Sequence, residues 1–391
     1  MGHARQLLAL EALLRAQRPL WQAQPFKQQR PEWCAQHPRL SSALLALDDG
    51  QLARLEQDEQ ALWGWLAEHL PALQQLAELC RIPDTSPRTL DHPGPHFANH
   101  IPGRKWQQIT AFAAALSPSQ QPLLEWCGGK GHLGRLLAWQ YHQPVLTLEH
   151  SGSLCEQGQL LAQRSGVRQR FLQVDVLDAQ GSAMLHGHHV VALHACGELH
   201  RHLLRAAVAE QAEAIDLAPC CYHHLQQGDY QPLSQSASLS LPRDALRLAV
   251  TGAATAAARE LRLRDREMAW KLGYLQLLQQ QGEGYRPLRP IDKAWLRLDF
   301  AGFCQQLAAR EGDTLPTGPD WAALEQLGWQ RQGETMRLSL VRQGLRRAIE
   351  LYLVLDMACY LEEQGYRVSL GIFCATALSP RNLLLSARRV A

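Results

Sequence analysis

Leu123-Leu124-Glu125-Trp126 is an apolar run that enters Cys127-Gly128-Gly129-Lys130-Gly131, and His132-Leu133-Gly134-Arg135-Leu136-Leu137 continues with helical spacing of its apolar residues. A strand, a glycine-rich turn and a helix in that order allow few folds. Glycines let the backbone come close to a ligand, and a helix start offers N–H groups that no helical carbonyl uses. The pattern points to an open α/β sheet that holds a nucleotide-like cofactor beyond the carboxyl ends of its strands. It reads acidic-x-Cys-x-Gly-x-Gly, with Cys127 where a first glycine often stands.

Four further strand-like runs follow at βα spacing. Val145 to Leu148 ends at Glu149, Arg170 to Val174 ends at Asp175, His189 to Leu193 runs into His194-Ala195-Cys196-Gly197, and Ala214 to Ala218 runs into Pro219-Cys220-Cys221-Tyr222-His223-His224. Glu149 lies close to the ~20 residues after the turn expected of a carboxylate that grips ribose hydroxyls. Asp175 is placed to reach an adenine edge. A glycine turn, an acid after the second strand and another after the third is the layout of S-adenosylmethionine-dependent methyltransferases. A nicotinamide dehydrogenase shares the first two signals but has no use for Asp175. The expected cofactor set is Glu125, Cys127, Gly128, Gly129, Gly131, Leu133, Glu149, Asp175, Val176 and His194, with Glu125, Gly129 and Gly131 shaping the loop.

The loops after the fourth and fifth strands are expected to carry the reacting group, with His194, Cys196, Cys220, Tyr222 and His223 lining the acceptor pocket. A hydroxyl or an arginine nitrogen needs a base, for which His194, His223 and His224 are candidates. A pyrimidine C5 acceptor instead needs a thiolate that adds to the ring, and Cys196 with Cys220 or Cys221 stands after adjacent strands as that chemistry requires. Buried cysteines are also common packing residues, so both chemistries and the packing reading stay open. Zinc ligation by Cys220-Cys221-x-His223-His224 with Cys196 and His200 is set aside, because adjacent cysteines are poor chelate spacing beside Cys-x-x-Cys. No metal ligand is therefore expected. Asp216 reads as a buried, hydrogen-bonded carboxylate of open role.

The Glu-x-Cys-Gly-Gly-Lys-Gly-His-Leu loop, Leu193-His194-Ala195-Cys196-Gly197, Pro219-Cys220-Cys221-Tyr222 and Leu378-Ser379-Pro380-Arg381-Asn382-Leu383 together resemble the methyltransferase-like family related to ribosomal RNA adenine dimethylase domain-containing proteins. The methyltransferase half of the glutathione S-transferase C-terminal domain-containing protein is similar. A more distant likeness is to eukaryotic tRNA 2′-O-methyltransferases. The resemblance covers about His96 to Leu225 and a stretch from about Leu345. It implies S-adenosylmethionine as cofactor, a basic residue at Lys105 that helps close over it, and an RNA acceptor in a tRNA or rRNA.

The fold class expected is α/β: a seven-stranded, Rossmann-like class I methyltransferase sheet, an N-terminal helical region and a helical insertion before the last two strands. The divisions fall at 1–95 for the helical region, 96–225 with 335–391 for the cofactor-binding domain, and 226–334 for the insertion, read as substrate-recognising. Within it, helices are expected over Asp244–Glu260 and Arg266–Gln280, and Tyr366–Phe373 and Leu383–Ala387 pair as the last strands. Net charge of +2 over 391 residues implies no global polyanion-binding field. Basic groups at Arg259, Arg262, Arg264, Arg266 and Lys271, at Arg337, Arg342, Arg346 and Arg347, and at Arg381, Arg388 and Arg389 are candidate RNA contacts. Trp270, Tyr274 and Tyr285 are interleaved with the first group as possible stacking surfaces. Ten cysteines without regular spacing suit a reducing cytoplasm. No run approaches the ~20 apolar residues that span a bilayer. The expectation is an RNA-directed enzyme with no DNA or membrane partner. A protein side-chain acceptor, a non-catalytic cofactor- or RNA-binding module and a redox role are the alternatives.

Overall fold

A computed structural model describes residues 2–117, 120–251 and 258–390. Its strands are β1 (Leu123–Trp126), β2 (Val145–Glu149), β3 (Gln169–Gln173), β4 (His189–Cys196), β5 (Ala214–Cys220), β6 (Tyr366–Ile372) and β7 (Leu383–Arg389). They form one seven-stranded sheet in the order β3-β2-β1-β4-β5-β7-β6. The first five strands run parallel, and β7 is antiparallel to both β5 and β6. This is the seven-stranded Rossmann-like sheet that the sequence implies, with its last strand antiparallel. All residues of β1 and β5 are buried, which explains their near-continuous apolar sequence rather than an alternating one. Helices cover the sheet: Ile109 and Phe112 of Gly103–Ala115 and Leu136 and Leu137 of His132–Tyr141 pack with Val145, Val191 and Phe373.

The chain forms two compact units, Met1–Ala16 with Ala77–Gly252 and Arg346–Ala391, and Gln17–Leu76 with Ala253–Leu345. These limits differ from divisions at 95, 226 and 334, and the cause is long-range packing. In the first unit the helix His3–Ala16 buries Leu7, Leu10 and Leu14 and packs on the helix Arg346–Glu363. The serine-rich loop after β5 is tied to the same two helices by carboxylates. Asp356 accepts from Tyr230 Oη, the Leu233 and Ser234 N–H groups and Ser234 Oγ, while Glu363 holds Ser236 and Glu11 holds Ser238.

In the second unit the helix Trp321–Gly344 packs against Pro38–Leu45, Asp49–Gln57 and Glu59–His69, and against Ala258–Gln280. Asp320 caps its start by accepting from the Ala323 N–H. The helix expected over Asp244–Glu260 is a helix at Arg243–Val250 and the first turn of another beginning at Ala258; residues 252–257 lie outside the described residues. Among the described residues no helix is long and apolar enough to cross a membrane.

Candidate active site

The strand order reverses direction at β1 and β4, so the loops leaving these strands diverge and open a crevice at their carboxyl ends. The turn after β1 is built by close contacts. Gly131 has φ +64, and a Cβ there would lie 2.3 Å from Gln169 Nε2 and 2.4 Å from the Phe171 ring. Cys127 also adopts a left-handed conformation, with φ +55, so the residue that replaces a glycine in the motif keeps a glycine's backbone.

Behind the turn, Glu125 is 4% exposed and accepts from Thr147 Oγ1 at 2.8 Å. Burial pushes its carboxyl up from 4.5 to about 7, against the lowering effect of the Thr147 and Gly134 hydrogen bonds and of Lys105. An acid whose folded pKa lies above its unfolded one binds its proton more tightly when folded. Its favourable contribution is complete below pH 4.5 and is withdrawn as pH rises through about 7. Glu125→Gln should therefore gain on the wild type by on the order of 3 kcal/mol between pH 4.5 and 8, measured by urea unfolding. A difference between the two proteins that stays constant over that range would show that Glu125 ionises normally.

Glu149, at the end of β2, uses one oxygen to accept from the Gly129 N–H at 2.9 Å and the other to accept from the Ser151 N–H at 2.9 Å. It is half-buried, and a carboxylate with one bond on each oxygen keeps an acceptor site on both. Asp175 follows β3, with Oδ1 fixed by the Leu177 N–H at 3.0 Å and its side chain partly exposed. Glu149 pairs in register with Gln173, so both acids lie at one end of the sheet beside the β1 turn. Lys105 is exposed on the helix Gly103–Ala115. Val176 and Leu133 are buried, and Leu133 packs in the core beneath the sheet rather than on an open wall.

At the acceptor end, β4 breaks its pairing with β5 between Leu193 and Cys196, and His194 at that irregularity has φ +64. His194 Nε2 lies 3.2 Å from Gln108 Oε1, and Gln108 Nε2 donates to the Leu378 carbonyl. Gly197 ties the two loops together. Its N–H donates to the Cys220 carbonyl at 3.1 Å, and a Cβ on it would lie 2.1 Å from the His224 carbonyl oxygen. Cys196 and Cys220 are in register, their sulfurs 3.3 Å apart, and Cys221 joins them with all three sulfurs within 4.8 Å of one another.

The expected acceptor residues do not share one environment. His194, Cys196 and His223 are half-buried, and Cys220 is 4% exposed. Tyr222 is 1% exposed, with its ring edge-on to His200 at 5.6 Å and its hydroxyl without a partner among the described residues. Tyr222 thus backs the loop instead of lining an open pocket.

Sequence reasoning missed Gln108, which helical periodicity marks only as a polar residue; Cys221 it did name, as a candidate nucleophile and in the zinc reading that adjacent cysteines argued against. It also missed His132, a buried imidazole at the first turn of its helix. Burial, with Lys105, Arg135 and Lys130 adding to it, takes its pKa down to about 4.

The three basic groups are mostly committed elsewhere. Arg337 bonds the Leu47 carbonyl and Asp49, Arg347 pairs with Glu350 at 2.6 Å, Arg381 donates to the Val250 carbonyl and Arg388 pairs with Asp216. Trp270 and Tyr274 are buried in the second unit's core with Phe300 and Phe303, so neither presents a face to a base. Arg259, Arg262, Arg264 and Arg266 are exposed.

No curated protein matches the chain. Residues 104–228 match the family model described as a methyltransferase domain, a segment that runs from the helix before β1 to the loop after β5. The matched segment contains β1 to β5 and the loops at their carboxyl ends, so the similarity to a methyltransferase domain falls on the part of the chain that builds the crevice.

Proposed function

We propose that this protein transfers the methyl group of S-adenosylmethionine to RNA, at a hydroxyl or base of a tRNA or rRNA. One observation carries the cofactor reading: the glycine turn after β1, Glu149 after β2 and Asp175 after β3 stand at one end of neighbouring parallel strands. S-adenosylmethionine supplies an electrophilic methyl group on a sulfonium. This chain's residues supply binding and alignment, which is most of what methyl transfer to a good nucleophile needs.

The free acceptor sites of Glu149 suit the two ribose hydroxyls, and Asp175 suits the exocyclic amine of adenine. The buried Glu125 holds the turn in shape from behind, through Thr147. His194, steadied by Gln108, and the Cys196 and His223 loops face the acceptor from the strands beside the cofactor.

The RNA acceptor is supported by the motif resemblance to RNA-modifying families and by the basic residues near the crevice, with Arg104 and Lys105 exposed and Lys130 half-buried. The exposed arginines 259, 262 and 264 add a second basic surface.

Calorimetric titration of the cofactor-stripped protein tests the first step. Micromolar binding of S-adenosylmethionine and S-adenosylhomocysteine with none of NADH is the expected result, and NADH binding alone overturns the cofactor assignment. Radiolabelled methyl transfer then separates acceptors. Label in total RNA that ribonuclease removes is expected, and label confined to protein makes the acceptor a side chain. Cofactor binding with no transfer to either makes the domain a binding module.

A further inference from the structure

Three cysteines from two loops meet where an ordinary strand geometry keeps them apart. Neighbouring residues of a strand point to opposite faces, so Cys220 and Cys221 would project in opposite directions if β5 simply continued. Cys221 instead has φ +46, a left-handed conformation that a non-glycine residue rarely adopts. On the other loop, the pairing irregularity between Leu193 and Cys196, with His194 at φ +64, brings Cys196 opposite Cys220. Two unfavourable backbone conformations thus serve one result, the gathering of Cys196, Cys220 and Cys221 Sγ within 4.8 Å of one another. Backbone strain of this kind, typically about 1–3 kcal/mol per residue, persists where the surrounding structure has a use for it.

We infer that Cys196, Cys220 and Cys221 form a binding site for a thiophilic divalent cation of the zinc class, with an exchangeable fourth position. Zinc binds thiolate sulfur at about 2.3 Å, which places two tetrahedral ligands about 3.8 Å apart. The Cys196–Cys220 separation of 3.3 Å and the 4.8 Å limit for all three bracket that spacing. Cys-Cys adjacency is poor chelate spacing only while both residues stay in extended conformation, and the turn at Cys221 removes that objection. The Cys196 and Cys220 thiols donate to the His194 and Ala195 carbonyls, interactions that deprotonation on cation binding would release. Among the described residues three ligand atoms converge, and three protein ligands is the arrangement of zinc sites that exchange a water or a substrate atom, in contrast to closed structural sites. The site goes beyond the methyl-transfer reading and does not depend on it. It is incompatible with one of these sulfurs acting as a free C5 nucleophile.

The test uses the full chain, purified under reductant and stripped by chelation, titrated with Co²⁺ alone. Expected are a thiolate-to-cobalt charge-transfer band and tetrahedral ligand-field bands that saturate at about one equivalent, with zinc displacing the cobalt. Cys196→Ser, Cys220→Ser and Cys221→Ser should each weaken uptake by about 100-fold or more, and Cys304→Ser should leave it unchanged. Alkylation of the wild type followed by peptide mapping gives an answer if a serine variant does not fold. Zinc should protect Cys196 and Cys221 while leaving the extent of labelling at Cys127 and Cys374 unchanged. Absence of the charge-transfer band, a band that survives in all three serine variants, or equal alkylation with and without zinc overturns the site.

Discussion

Glu149→Ala should lower the affinity for S-adenosylmethionine by about 10- to 100-fold while the protein stays folded. In the proposed site the carboxylate would meet the ligand, and it also organises the loop, because one oxygen holds the Gly129 N–H and the other the Ser151 N–H. Hydrogen bonds to a charged group are worth roughly 1.5–3 kcal/mol each, and each 1.4 kcal/mol is a factor of about ten in binding. Glu149→Gln keeps one acceptor oxygen and should fall between the wild type and alanine. Both effects are read by calorimetry, with circular dichroism as the control for folding. Wild-type affinity in the alanine variant would take Glu149 out of the cofactor site.

Asp216→Ala should be the most damaging single change to stability, at about 3–5 kcal/mol. Asp216 is 0% exposed in the middle of β5. His189 Nε2 lies 2.5 Å from its Oδ2, and Arg388 donates to the same oxygen at 2.8 Å. Burial alone would raise its pKa, but these two partners together hold the carboxyl below its ordinary range. Its contribution is therefore complete above the ordinary value of 3.8 and fades as pH falls below it. The alanine variant leaves His189 and Arg388 facing each other without their shared anion. Asp216→Leu combined with His189→Leu removes the buried polar pair together and should recover much of the loss. Chemical denaturation of the single and double variants checks both statements, and a double variant no better than Asp216→Ala would refute the ion-pair account.

Much of the sheet was legible in the sequence because β1 is a short apolar run that enters a glycine turn, and the largely apolar β2, β4 and β5 lead into polar residues. Glu149 and Cys220 end β2 and β5, Asp175 follows β3 by two residues, and His194 stands near the end of β4. The grouping of the helices was not legible. Apolar spacing shows that His3–Ala16 has a buried stripe, but no local signal tells that Leu7, Leu10 and Leu14 meet a helix more than 300 residues away. The same limit misplaced Trp270 and Tyr274. Their neighbouring arginines suggest an exposed binding face, while the aromatic rings themselves fill the core around Phe300 and Phe303. In the site, the glycine turn announced Cys127, but nothing in the residue types of His194 and Cys221 announces their left-handed backbone, so the gathering of the three thiols was not legible.

The place of β7 bears on how this protein is made. β7 is the last strand in the chain, yet it occupies an interior position between β5 and β6. Until Leu383–Arg389 has left the ribosome, β5 presents an open edge of unpaired N–H and C=O groups beside an otherwise assembled five-stranded layer. Such an edge is a template for another chain, and the contacts that close it span most of the sequence. Strand order thus keeps the β5 edge open while everything between β5 and β7 is being made, including the whole of β6.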